Sequence, residues 1–144
     1  MDRVELRTLA MAPDLSSTES GIRSAPESSS VVALRVLKAV EIQRDRFKNA
    51  RLEEKALLVR RNARMTPALM ERFCPLTERA NTALNLALQK LNLSGRAFHS
   101  ILRTARTIAD LEEKDSLDAV HVLEAVEHRR LGEDPWDSIN PWDC

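Results

Sequence analysis

Glycine is scarce. Gly21, Gly95 and Gly132 are the only three in 144 residues, and none belongs to a G-x-x-x-x-G-K-[ST] run. So little glycine is too little for a turn-rich all-β fold. It also leaves no backbone loop to cradle nucleotide phosphates, so this chain alone is not expected to hydrolyse ATP or to bind ATP and Mg²⁺. Aromatic residues make up 3% and tyrosine is absent, against 43% hydrophobic residues in all. That balance suits a helical bundle cored by Leu, Ala, Ile and Val better than a β-sandwich. Cys74 and Cys144 stand outside any C-x-x-C or Cys/His spacing and read as free thiols. His99, His121 and His128 do not fall at metal-ligand spacings, and no Ser/His/Asp set or paired carboxylates stand out. No apolar run approaches the roughly 20 residues of a membrane span. No charged segment followed by an apolar one opens the chain, so a cytoplasmic protein without membrane association is expected.

Charge is balanced in total and lopsided in place. Residues 35–64 hold ten Lys/Arg against four Asp/Glu, and residues 107–144 hold eleven acidic residues against three basic. A basic middle can touch nucleic acid, and an acidic end repels it. Complementary surfaces within one assembly explain the same pattern.

Along the chain, Val4, Leu6 and Thr8 alternate with Glu5 and Arg7, as in a short half-buried strand. Residues 13–30 are rich in Ser, Pro and Glu, cannot bury enough apolar area to offset chain entropy, and read as a flexible linker. Ser30 or a neighbour can cap a long helix whose apolar stripe is Val32, Val36, Val40 and Phe47, with Leu37 beside them. Residues 49–65 are strongly charged and weakly periodic, either loop or continuing helix. Thr66 as N-cap and Pro67 at the first helical position start a short helix burying Leu69, Met70 and Phe73, which Pro75 stops at Cys74. The next helix, from about Thr77 to Leu91, buries Ala80, Ala83, Leu84, Ala87, Leu88 and Leu91. A last helix is capped by Asp118, with Leu117 stapled on Val122; Val122, Leu123 and Val126 face inward and Gly132 ends it. His121, at its third position, is expected to make a structural hydrogen bond.

Between these two helices lies the most strongly patterned stretch, residues 93–111. Ser94 is its N-cap, and Phe98, Ile101, Leu102, Ala105, Ile108 and Ala109 share one helical face. Arg96, His99, Arg103, Arg106 and Asp110 recur on the opposite side at spacings of three, four, three and four. By periodicity alone this is a solvated face. On that reading Arg106 and Asp110 form an ordinary surface pair, contributing about 0.2–0.5 kcal/mol. Arg96, however, sits at the positive end of the helix dipole, where a cation gains nothing for the helix and an external anion is its natural partner.

The run from Leu93 to Leu111 resembles the C-terminal signature of magnesium-chelatase-like AAA+ ATPases of the ComM/YifB type, S-x-R-x-x-x-x-I-L-x-x-A-R-T-I-A-D-L. Other segments carry the same resemblance. Asp2-Arg3-Val4-Glu5-Leu6 is similar to L-L-D-R-I-D-L, and Glu27-Ser28-Ser29 to E-S-S. Glu41-Ile42-Gln43 with Arg44 and Phe47 is similar to A-R-E-I-Q-x-x-R-F. Asn62-Ala63-Arg64-Met65 matches N-A-R-M, and His121 with Glu124-Ala125-Val126 matches H-L-x-E-A-I. The resemblance covers nearly all of residues 1–130 and fails in the tail.

It implies an all-α fold: a small helical bundle, the lid domain of an AAA+ ATPase, behind a flexible N-terminal segment. Residues 1–12 would be the remnant of an ATPase-core strand and 13–30 the linker. Residues 31–64 would be a connecting helix and basic linker, and 65–132 the lid. Arg96 would be the sensor-2 arginine on the ATP phosphates, with Arg103 a second, weaker candidate. Arg3 would be an arginine finger acting in trans on the γ-phosphate of a neighbouring subunit. A guanidinium suits both tasks, because its planar fork binds phosphate oxygens in pairs and stays charged. In the parent protein the resemblance implies bound ATP and Mg²⁺, the rest of the AAA+ core as partner, and a homo-hexameric ring. DNA would be the remodelled substrate. A magnesium-chelatase ATPase subunit, or a non-enzymatic helical module binding nucleic acid or protein, are the alternatives. The tail, residues 133–144, is acidic and holds both tryptophans, Trp136 and Trp142, in the repeats Asp134-Pro135-Trp136-Asp137 and Asn140-Pro141-Trp142-Asp143. It reads as a peptide ligand for another protein or as a cover for the bundle.

Overall fold

Side-chain caps decide where the helices begin. Thr66 Oγ1 accepts from the Leu69 amide at 3.4 Å, Thr77 Oγ1 from Ala80 at 3.2 Å, and Ser94 Oγ from Ala97 at 3.3 Å. Each satisfies one amide of a first turn that has no partner within its helix. In the computed structural model, which describes Leu6, Thr8 and residues 27–53 and 59–130, the resulting elements are five α-helices and one 3-10 turn. They are α1 (Ser29–Glu53), the 3-10 turn (Asn62–Arg64), α2 (Pro67–Phe73), α3 (Glu78–Lys90), α4 (Gly95–Leu111) and α5 (Ala119–Arg130). The expected all-α bundle is what forms. No strand occurs among the described residues; Leu6 and Thr8 are exposed and irregular, and the rest of that strand lies outside them. The linker over 13–26, Gly132 and the tail also lie outside the described residues. Among the described residues, no helix is long and apolar enough to cross a membrane.

α4 is the central element, touching α1, α2, α5 and the 3-10 turn, while α5 packs across α3. Its apolar face is the one periodicity assigns: Ile101, Leu102, Ala105, Ile108 and Ala109 are buried, and Phe98 is half-buried. In the same core lie Met65, Leu69 and Met70, then Ala80 and Leu84 of α3, Leu117 just before α5, and Val122 and Val126 of α5. Fully burying a Leu or Val side chain contributes about 1.5–3 kcal/mol, so these contacts hold the bundle closed.

The loops entering α3 and α5 are tied together. Leu76 and Leu117 form an isolated parallel bridge, in which Leu117 N donates to Pro75 O (2.8 Å) and Thr77 N to Leu117 O (3.0 Å). Thr77 Oγ1 also donates to Asp118 Oδ1 at 3.0 Å, so the caps of two helices share one hydrogen bond. Asp118 Oδ1 accepts from the Ala119 amide, and the Asp118 amide donates back to His121 Nδ1 at 2.9 Å. His121 therefore plays the structural part expected of it, and its Nε2 meets Glu112 Oε2 at 3.1 Å. The Ala119 amide first, then the Thr77 hydroxyl, hold the Asp118 carboxyl below its ordinary range.

Two apolar stripes differ from expectation. Leu123 is 53% exposed, because α5 buries Val122, Ala125 and Val126 at i, i+3 and i+4 and turns position 123 outward. In α1 the buried residues are Ala39, Gln43 and Phe47, whereas Val32, Val36, Leu37 and Val40 remain 37–57% exposed. Further along α1, Lys38 pairs with Glu113 just after α4 and Arg46 with Asp110 on it, while the first turns of α1 keep an exposed apolar side. The charged segment after Asn49 resolves into both alternatives: α1 continues to Glu53, and a 3-10 turn follows at Asn62.

Candidate functional site

The N-terminal end of α4 is cationic and open. Ser94 caps it, Arg96 is exposed in its first turn, and His99 and Arg103 are half-buried further along. Seven residues separate Arg96 from Arg103, about 10 Å of helix rise and nearly two full turns, so the two guanidinium groups share a side. Phe98 packs edge-on against His99, with ring centroids 5.4 Å apart. Of the arginines singled out by sequence, Arg96 and Arg103 thus lie on one face. Arg3 lies outside the described residues.

The C-terminal end of the same polar stripe is buried, which corrects the expected surface pair. Arg106 and Asp110 are 1% and 0% exposed. Arg106 Nε donates to Asp110 Oδ1 at 3.0 Å. Its Nη1 donates to Asp115 O at 2.6 Å, and its Nη2 to Lys114 O. Asp110 also accepts from both terminal nitrogens of Arg46 on α1, with Nη1 to Oδ2 at 2.8 Å, and from Asn62 Nδ2 at 2.7 Å. Asn62 is itself held on every side. Its Nδ2 donates to Thr107 Oγ1 (3.1 Å), its Oδ1 accepts from Arg46 Nη1 (3.0 Å), and its amide donates to Gln43 Oε1 (3.1 Å). One carboxylate therefore gathers α1, the 3-10 turn and α4.

Helical phase alone could not reveal this, because what buries the pair lies outside α4. The turn after α4 matters most. Lys114 N bonds back to Ala109 O at 2.8 Å, and Glu113 takes the left-handed conformation at φ 57° that usually calls for glycine. That turn aims the Lys114 and Asp115 carbonyls at the Arg106 guanidinium, and the guanidinium holds the turn in place. A cation here also offsets the negative end of the α4 dipole. Burial lowers the Arg106 pKa, with Asp110 opposing the shift. Nearby, burial pushes the Cys74 thiol up to about 11. Cys74 is a buried free thiol, as expected.

The network collects five of the motif residues into one place: Gln43, Asn62, Arg106, Thr107 and Asp110. It also corrects the match in α1. The spacing E-I-Q-x-x-R-F sets its arginine at Arg46, which enters the network, and not at Arg44, which is exposed. Arg46 is the residue that sequence reasoning missed, and strict counting along the motif would have found it. The chemistry of this cluster is cohesive: a fully engaged carboxylate is not available to substrate. Among the described residues, no group of three or more His, Cys, Asp or Glu could hold a metal ion.

Comparison with known proteins agrees with the motifs. Residues 26–129 match the family described as magnesium chelatase, subunit ChlI C-terminal. Competence protein ComM of Haemophilus influenzae is 34% identical over 132 residues, 91% of this chain and 23% of that protein. The uncharacterized protein YifB of Salmonella typhimurium is 35% identical over 108 residues, and that of Escherichia coli 34% over 105, each covering 19% of the relative. The chain thus spans less than a quarter of the length of these relatives. With 104 of its residues (26–129) inside the match, the chain belongs to the magnesium chelatase subunit ChlI C-terminal family.

Proposed function

We propose that this chain is the lid of an AAA+ ATPase of the ComM/YifB type, which senses ATP bound by the rest of its parent and couples hydrolysis to the remodelling of DNA. The observation that carries this reading is the placement of Arg96: exposed, in the first turn of a capped helix whose far end is locked into the bundle. A phosphate at that point meets a guanidinium and the positive end of a helix dipole together. Because α4 is anchored to α1 through Asp110 and Arg46, a displacement of Arg96 by a changing phosphate moves the lid as one body. Arg103 provides a second cation on the same side. Arg3 reaches the γ-phosphate of the neighbouring subunit in a homo-hexameric ring. In this reading the metal and the phosphate loop lie in the remainder of the parent, and Arg96 supplies a phosphate contact from the lid.

The test is ATP turnover by the full-length parent. Arg96→Ala is expected to lower it about 100-fold, the cost of losing one positioned donor to developing charge, with the far-ultraviolet circular dichroism of the lid unchanged. Turnover near the wild-type rate rules the sensing role out. The substrate is tested separately. The resemblance to the ComM/YifB type implies DNA as the substrate, and DNA-stimulated ATP hydrolysis by the parent is the expected result.

A further inference from the structure

Residues 131–144 lie beyond the family match, which ends at residue 129. They carry Glu133, Asp134, Asp137 and Asp143, no basic residue, and both tryptophans of the chain. A surface of the opposite character lies on the bundle. Between α1 and the segment 59–63 runs a groove with Val36 and Val40 in its wall and Arg44, Lys48, Arg60 and Arg61 around it. The two valines are 46% and 38% exposed, and all four cations are exposed. None of the four cations forms an ion pair with another described residue.

We propose that the acidic tail of the same chain folds back into this groove, with Trp142 on Val36 and Val40 and the carboxylates of Asp137 and Asp143 against the basic rim. Charge complementarity favours this occupant: the tail carries four carboxylates and the groove four cations. The apolar wall favours it over nucleic acid, since a phosphate backbone would engage the cations and leave both valines in water. A tryptophan covers them and also stacks under a guanidinium. Length permits it. Fully extended, the twelve residues from Arg130 to Trp142 reach about 40 Å, more than the roughly 35 Å across a 100-residue domain. The consequence is a masked surface: while the tail is seated, the basic groove is closed to any other polyanion.

The chain supplies its own probe. It has no tyrosine, and its only tryptophans are in the tail, so intrinsic tryptophan emission reports the tail alone. In the full 144-residue chain, emission is expected to be blue-shifted and acrylamide quenching several-fold weaker than in a free peptide of residues 131–144. The shift should survive Trp136→Phe, vanish in Trp142→Phe, and weaken with salt. The double variant Arg60→Glu, Arg61→Glu should restore peptide-like emission with unchanged circular dichroism, since both side chains are exposed. Peptide-like emission in the unaltered chain overturns the proposal. So does a blue shift that is indifferent to the double variant, which would seat the tail elsewhere. Protection that grows with protein concentration would give the groove to a second copy and overturn docking within one chain. Binding of duplex DNA equal in the unaltered chain and in Asp137→Lys, Asp143→Lys would show an open groove and also overturn it; stronger binding by that variant supports masking.

Discussion

The two ends of α4 hold the same side chain in opposite surroundings. Arg96 stands exposed in the first turn, whereas Arg106, ten residues on, is 1% exposed and spends its donors on Asp110 and on the carbonyls of residues 114 and 115. Both arginines lie on the polar stripe that helical phase separates from the core. What distinguishes them is cover: α1, the 3-10 turn and the loop after α4 close over one end and leave the other open. A charged stripe on a helix is therefore solvent-facing only as far as no other element crosses it. Here one end fixes the helix in the bundle and the other stands at the surface.

That contrast can be broken most forcefully at Asp110. Asp110→Ala leaves Arg46 and Arg106 buried without their carboxylate, and removing one partner of a buried ion pair costs about 3–5 kcal/mol. Urea unfolding monitored by circular dichroism measures the loss; a change below about 1 kcal/mol would make the network incidental. Replacing the cluster together, Arg46→Met with Arg106→Met and Asp110→Leu, is expected to recover much of the loss, because no uncompensated charge remains.

Cys74 sharpens the same contrast from the side of the core. Its thiol is held up at about 11 by burial, so in a Cys144→Ser background it should resist thiol reagents at pH 8 and react only as fast as the bundle opens. The sign follows from the raised value. Stability from this group is complete below the ordinary thiol range and is lost as pH rises through about 11.

Asp118 predicts a smaller effect at the opposite extreme of pH. The Ala119 amide and the Thr77 hydroxyl lower its pKa, so its contribution is present above the ordinary carboxylate value, near 4, and is lost as pH falls through the folded value. Asp118→Asn should therefore flatten part of the acid limb of a stability–pH curve while keeping α5 capped at neutral pH. An unchanged limb would remove the carboxylate from the cap. The smallest expected change is in the stability of Arg96→Ala, within about 0.5 kcal/mol of the parent value, as for other exposed positions.

Much of this was legible in the sequence, for local reasons. Thr66, Thr77, Ser94 and Asp118 are caps wherever they occur before an apolar period, and each begins a helix where expected. The inner face of α4 follows from spacing, and the placement of Arg96 from spacing and cap together. What was not legible depends on contacts made at long range. Arg46 and Asp110 are 64 residues apart, and no periodicity links them. Val32, Val36 and Val40 read as a buried stripe because their spacing is right, yet among the described residues nothing covers them fully. Glu113 in the left-handed region carries no sequence signal at all, since its conformation is held by Arg106 across the turn.

The proposal that α4 divides into an anchored end and a sensing end is tested most directly by measuring ATP turnover and thermal stability side by side in the full-length parent carrying Arg96→Ala. The account predicts turnover down about 100-fold at an unchanged melting temperature. Unimpaired turnover, or a loss that merely tracks a lower melting temperature, would contradict it.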